Sequence, residues 1–80
     1  MFDNATILIT GGTGSFGQAA LKRFLTFNVK EIRIFSRDEL KQDDMRKFYN
    51  NCKLKFYIGD IRDYNSINDA IRGVDYVFHA

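Results

Sequence analysis

The sequence has no proline, a single cysteine, no low-complexity stretch and no long apolar run. Cys52 has no partner within the chain, so an internal disulfide is excluded and a cysteine-built zinc cluster is not expected. A lone cysteine without a secretory leader is the usage of a reducing compartment, and the chain is read as cytoplasmic. Apolar runs are a few residues long, whereas about 20 are needed to cross a bilayer, so no membrane span is expected. The formal net charge is only +2 and basic residues form no block. Charge therefore gives no reason to expect nucleic acid or an anionic membrane as partner. Nothing resembles a linker, so one domain is expected.

What is present is globular: 80 residues, 45% hydrophobic and 15% aromatic. A lone core in so short a chain is worth only about 3–5 kcal/mol. Short apolar strands alternate with amphipathic stretches along it. Thr6-Ile7-Leu8-Ile9-Thr10 is β-branched and apolar on both faces, as a parallel strand covered on both sides should be. From Phe16, apolar residues recur at helical spacing through Ala20, Phe24 and Phe27, with Asn28 as the expected stop. Ile32 to Phe35 predicts the second strand. Ser36-Arg37-Asp38-Glu39 fits a capping box that opens a second helix with Leu40, Met45 and Phe48, broken by Asn50-Asn51. Leu54 to Ile58 predicts a third strand. Asp63 is expected to cap a third helix that turns Ile67, Ala70 and Ile71 inward and ends at Gly73. Val74 to Phe78 predicts a fourth strand, an exposed apolar edge unless something covers it. The expected class is α/β: right-handed βαβ units forming a Rossmann-type parallel sheet in the order 3-2-1-4, the first half of a doubly wound fold.

The loop after the first strand, Gly11-Gly12-Thr13-Gly14-Ser15-Phe16-Gly17, carries the chemistry. It satisfies G-x-x-G-x-x-G from Gly11 and G-x-G-x-x-G from Gly12. One glycine makes the tight turn, one admits a pyrophosphate to the backbone, and one packs helix on strand. The helix N-terminus adds amide donors and partial positive charge, and Thr13 and Ser15 add hydroxyls. A glycine-rich turn without a ligand is the bland alternative, but the strand before and the helix after supply the confirming context. No Gly-Lys-Ser/Thr follows, so a Walker phosphate loop is excluded.

The residues about 20 past such a loop choose the dinucleotide. Here they are Ser36, Arg37 and Asp38. Arg37 can grip an adenosine 2′-phosphate with its fork of donors, and Lys41, one turn on, can point the same way. Asp38 is the counter-argument, because a one-residue shift makes it a ribose ligand. NADP is favoured, with NAD as the alternative. Ser36 is either a cap or a phosphate contact, and Lys41 taken alone is solvated surface. Asp60, just after strand three, is placed to accept a hydrogen bond from the adenine amino group, unless it serves only as a helix cap. Ala80 sits at the end of strand four, where small residues let backbone approach the cofactor. The lone His79 beside it is read as structural rather than as a proton carrier. Cys52, before strand three and away from the crevice, is read as inert.

Four strings together are more specific than any one motif: Ile7 to Gly17, Ile34 to Arg46, Lys55 to Asp63, and Gly73 to Ala80. They resemble extended short-chain dehydrogenases/reductases and, within these, bacterial UDP-N-acetylglucosamine 4,6-dehydratases. The stretch Ser36 to Gln42 is the most discriminating part. The resemblance implies a closed redox cycle on a UDP-N-acetylhexosamine: hydride leaves carbon 4 for NADP, water leaves across carbons 5 and 6, and hydride returns at carbon 6. It implies a 4-keto-6-deoxy product, inverted at carbon 5, for capsule, O-antigen or flagellar glycans, and a lyase that is homo-oligomeric at full length. It assigns Thr13, Ser15 and Phe16 to the phosphate loop, beside the glycines Gly11, Gly14 and Gly17 of the motif. Arg37 and Lys41 then hold the 2′-phosphate, and Asp60 and Ile61 border adenine. By the same resemblance this chain, residues 1–80, is the first part of the dinucleotide-binding domain. The catalytic Thr-Asp-Lys and Tyr-or-Met-x-x-x-Lys motifs and the sugar domain are expected beyond Ala80, so no catalytic residue and no metal ligand is assigned here. A UDP-sugar 4-epimerase or reductase of the same superfamily is the alternative enzyme, and a non-catalytic NADP sensor the alternative from another class.

Overall fold

The computed structural model describes residues 2–80. Four parallel strands, β1 (Thr6–Thr10), β2 (Glu31–Ser36), β3 (Leu54–Ile58) and β4 (Tyr76–His79), form one sheet. Their order is β3-β2-β1-β4, as the βαβ pattern requires. Three helices connect them: α1 (Ser15–Phe24), α2 (Glu39–Tyr49) and α3 (Tyr64–Ile71). Strand residues alternate between two faces, and that alternation sorts the core into two layers. Ile7, Ile9, Ile32 and Ile34 pack with Leu21 of α1 and Met45 of α2. Leu8 and Phe35 face the other way and pack with Ala70 of α3. Every residue of β1 is buried, which is why its sequence is apolar on both faces. Burial of each large side chain there contributes about 1.5–3 kcal/mol.

The helices differ in detail from their sequence patterns. Asp38, not Ser36, is the N-cap of α2: its carboxylate accepts from the Lys41 amide at 3.0 Å. Ser36 is instead the last residue of β2 and is buried. An extended strand overrides the local capping box because its ladder bonds to β3 outweigh one side-chain cap. On α2 the inward stripe is Gln42, Met45 and the half-buried Tyr49, so Leu40 and Phe48 are exposed. Phe16 is likewise exposed, and α1 ends at Phe24 rather than running to Asn28. Asn50 does stop α2, in the left-handed conformation. Asp63 caps α3 through the Asn65 amide as expected, whereas Ile71 stays largely exposed. All four residues of β4 are exposed, and the strand begins at Tyr76 rather than Val74, which packs beneath α3. Among the described residues, no helix is long and apolar enough to cross a membrane.

Candidate functional site

The carboxyl ends of all four strands open onto one crevice of about 410 Å³. Gly11, Ser36, Arg37, Gly59, Asp60, Ile61, His79 and Ala80 line it. These residues therefore meet where a doubly wound fold binds its ligand, at the point where β1 separates β2 from β4.

Gly11, the first residue of the glycine loop, lines this crevice. Gly11 adopts φ +69°, a left-handed conformation that turns the chain sharply, and its amide donates to the Phe35 carbonyl at 2.9 Å. Gly17 lies against the loop backbone: a Cβ there would stand 2.5 Å from the Gly11 oxygen and 2.6 Å from the Gly12 Cα. Gly12 faces the core, where a Cβ would strike Ile34 at 2.7 Å. Gly14 is different. A Cβ at Gly14 would meet only the Gly11 oxygen, at an ordinary 3.6 Å. Backbone conformation explains Gly11 and packing explains Gly12 and Gly17, which leaves Gly14 to another cause.

Helix ends show the same contrast. Aspartates cap α2 and α3, but α1 starts at Gly14 with no side-chain cap and no acidic residue in its first turn. Its leading amides are left facing outward, a ready anion site. The Gln18 side chain donates to the Thr13 carbonyl at 2.9 Å and holds the loop in place. An uncapped positive helix end, with bare backbone at Gly14 in front of it, fits a diphosphate group.

The remaining predicted site residues divide into two places. Ser36, Arg37, Asp60, Ile61 and Ala80 share the crevice. Lys41 does not point the same way as Arg37: it lines a separate groove between α1 and α2 with Thr13, Ser15, Gln18 and Lys22. The cause is the later start of α2, which rotates Lys41 away from the crevice. Thr13 joins the two regions, since it also lines a shallow surface with Arg37, Asp38 and Glu39. Phe16, exposed on α1, lines neither the crevice nor that groove. His79 shares a hydrogen bond through Nδ1 with the buried Thr10 hydroxyl, which ties β4 to β1. Cys52 is exposed in the turn before β3, away from the crevice.

Two residues near the site went unnoticed in the sequence. Arg62 grips Asp60 with its backbone N–H at 2.9 Å and with its guanidinium at 2.7 Å. Arg37 reaches the same carboxylate more loosely, at 3.5 Å, and stays 71% exposed. The second is Gln42, 1% exposed and bonded to the ends of β2 and β3. The signal for it was present: Gln42, Met45 and Tyr49 are spaced as one helical stripe.

The hydrogen bonds from the Arg62 side chain and backbone, followed by its charge and that of Arg37, hold the Asp60 carboxyl well below the usual carboxylate range. A depressed folded-state pKa means the ion pair is complete above the ordinary carboxylate range and is lost only as pH falls through the lowered value. Carboxyl-carbon NMR titration is expected to show Asp60 still ionised below the ordinary carboxylate range. Arg62→Ala should move its midpoint up toward that range; an unchanged midpoint contradicts this assignment.

Residues 7–80 match the family described as polysaccharide biosynthesis protein. The chain belongs to that family. Among curated relatives, proteins named UDP-glucose 4-epimerase from Rickettsia bellii and Rickettsia prowazekii are each 68% identical over the whole of this chain. The chain spans about a quarter of their length, 25% in both cases. Among solved structures, Pen from Bacillus thuringiensis is 37% identical with a TM-score of 0.95, over 99% of this chain and 26% of that one. The Bordetella bronchiseptica enzyme WbmF, solved in complex with NAD+, is 22% identical with a TM-score of 0.76, over 99% of this chain and 23% of its own. The expected α/β Rossmann-type architecture in the order 3-2-1-4 is thus observed, and these solved structures share the fold.

Proposed function

We propose that this chain is the dinucleotide-binding part of a UDP-sugar-modifying enzyme that oxidises its substrate transiently at carbon 4. The uncapped N-terminus of α1 behind the open Gly14 carries the proposal. In this reading the amides after Gly14 hold the diphosphate, with the Thr13 and Ser15 hydroxyls beside them. Ser36 and Arg37 hold the phosphate on the adenosine ribose, Asp60 and Ile61 border adenine, and Ala80 lets the backbone approach. A bound nicotinamide dinucleotide supplies hydride acceptance and return. The residues of this chain bind, orient and screen it; the proton-transfer groups are assigned to the part of the protein beyond Ala80. Arg37 favours NADP over NAD, because its exposed fork keeps donors free despite the loose contact with Asp60.

The names of the Rickettsia relatives support 4-epimerisation as the outcome. A second reading, 4,6-dehydration of UDP-N-acetylglucosamine, is favoured by the Ser36 to Gln42 stretch. Product analysis of the intact protein with UDP-glucose and UDP-N-acetylglucosamine separates them. Epimerisation gives an isomer of unchanged mass; dehydration gives a ketone lighter by one water that exchanges its carbon 5 hydrogen with solvent. Absence of either product from both substrates sinks the proposal and favours a non-catalytic sensor. For the cofactor, Arg37→Ala should weaken NADP about tenfold more than NAD, a charge-assisted bond's worth. Equal weakening removes Arg37 from the 2′-phosphate.

A further inference from the structure

Two carbonyls fix the NH2 end of the Gln42 amide, while its Oε1 is buried without a partner among the described residues. Its Nε2 lies 2.9 Å from the Tyr57 carbonyl oxygen and 3.4 Å from the Ser36 carbonyl oxygen. Carbonyls accept and never donate, so the NH2 end must face them. The same nitrogen is 2.9 Å from the Ser36 Oγ. With one hydrogen committed to Tyr57, the other is donated to that hydroxyl. The Asp38 backbone N–H also points at Ser36 Oγ, at 3.4 Å. Both lone pairs of the hydroxyl are thus engaged, and its own hydrogen has no acceptor among the described residues. Ser36 borders the crevice next to Arg37.

We propose that Gln42 is a positioning residue that makes Ser36 an obligatory hydrogen-bond donor to an anionic oxygen beside Arg37. The inference rests on the reading of this crevice as the adenosine-phosphate site. Gln42 touches no ligand. It sets which end of the Ser36 hydroxyl faces one. Without the amide, nothing fixes the direction of the hydroxyl hydrogen, and the hydroxyl is free to present lone pairs to the phosphate. This also gives Gln42, the last residue of the discriminating stretch, a physical reason to be an amide.

The test uses the intact protein and two probes that differ by a single phosphate, 2′,5′-ADP and 5′-AMP. Gln42→Glu keeps the shape but removes the NH2 donor. It is expected to weaken 2′,5′-ADP about tenfold and to change 5′-AMP less than about twofold. Ser36→Ala should do the same, and the double variant should bind no worse than Ser36→Ala alone. If Gln42→Glu folds poorly, Gln42→Met, neutral and similar in volume, takes the same measurements with the same expectation. Equal loss of both nucleotides makes Gln42 merely structural and overturns the proposal. Additive losses in the double variant overturn it too, since Gln42 would then act independently of Ser36. Arg37→Ala separates this from failure of the underlying reading. If Arg37→Ala does not discriminate the nucleotides, the crevice assignment itself is wrong; if it does and Gln42→Glu does not, only the role of Gln42 falls.

Discussion

Aspartate in place of Gly14 is expected to leave the protein as stable as before, or slightly more so, and to weaken dinucleotide binding at least about a hundredfold. The two effects have opposite signs because Gly14 is the N-cap of α1. Its backbone is extended, φ −77° and ψ 173°, which any residue adopts, and a Cβ has room at 3.6 Å. Asp38 and Asp63 show what an aspartate does at such a position: its carboxylate accepts from the helix amides. At position 14 that carboxylate would occupy the same donors a diphosphate needs and add a like charge in front of them. Valine in place of Gly17 is the contrasting variant. There the obstacle is protein backbone at 2.5 and 2.6 Å, which no rotamer relieves, so the loop must move and both stability and binding fall. Thermal unfolding and NADP titration of the two variants separate a glycine kept for the ligand from one kept for the fold. If Gly14→Asp binds like the parent protein, the positive end of α1 is not where the diphosphate sits.

These glycines also show how much was legible in the sequence. The loop, the alternation of strands and helices and the order 3-2-1-4 follow from spacing and β-branched runs. Parallel strands buried on both faces leave little freedom in how their residues are placed. Helix faces were harder to read. Leu40 and Phe48 suggested an apolar stripe on α2, yet the start of that helix was set by a strand ending at Ser36 and a cap at Asp38. Moving the first turn by two residues rotates every side chain after it. That single shift turned Gln42 inward and Lys41 toward the α1 groove. Local capping patterns see only their own segment, whereas the ladder between β2 and β3 holds Ser36 from a distant part of the chain. Arg62 was missed for a related reason. Its grip on Asp60 is a turn-local contact between exposed groups, and no periodic pattern marks it.

Phe35→Ala is expected to cost about 3–5 kcal/mol, read as a lowered urea midpoint of the intact protein. Phe35 is 1% exposed, and among the described residues the layer beneath α3 has only Leu8 and Ala70 as its other fully buried members. So thin a layer has little to collapse into the space a missing ring leaves, which keeps the loss near the upper part of that range. The ring also fits against Gly59, where a Cβ would stand 2.9 Å from Phe35 Cε2. Gly59 leads directly into Asp60, so a loosened ring frees the segment that carries the Asp60–Arg62 pair and borders the crevice. Dinucleotide affinity should therefore fall along with stability, although Phe35 itself is buried under the site. Phe48→Ala is the matched control: the same ring, 77% exposed on α2, is expected to change stability by no more than about 0.5 kcal/mol. Comparable losses from the two variants would mean that the α3 layer does not hold the β3 end of the site in place.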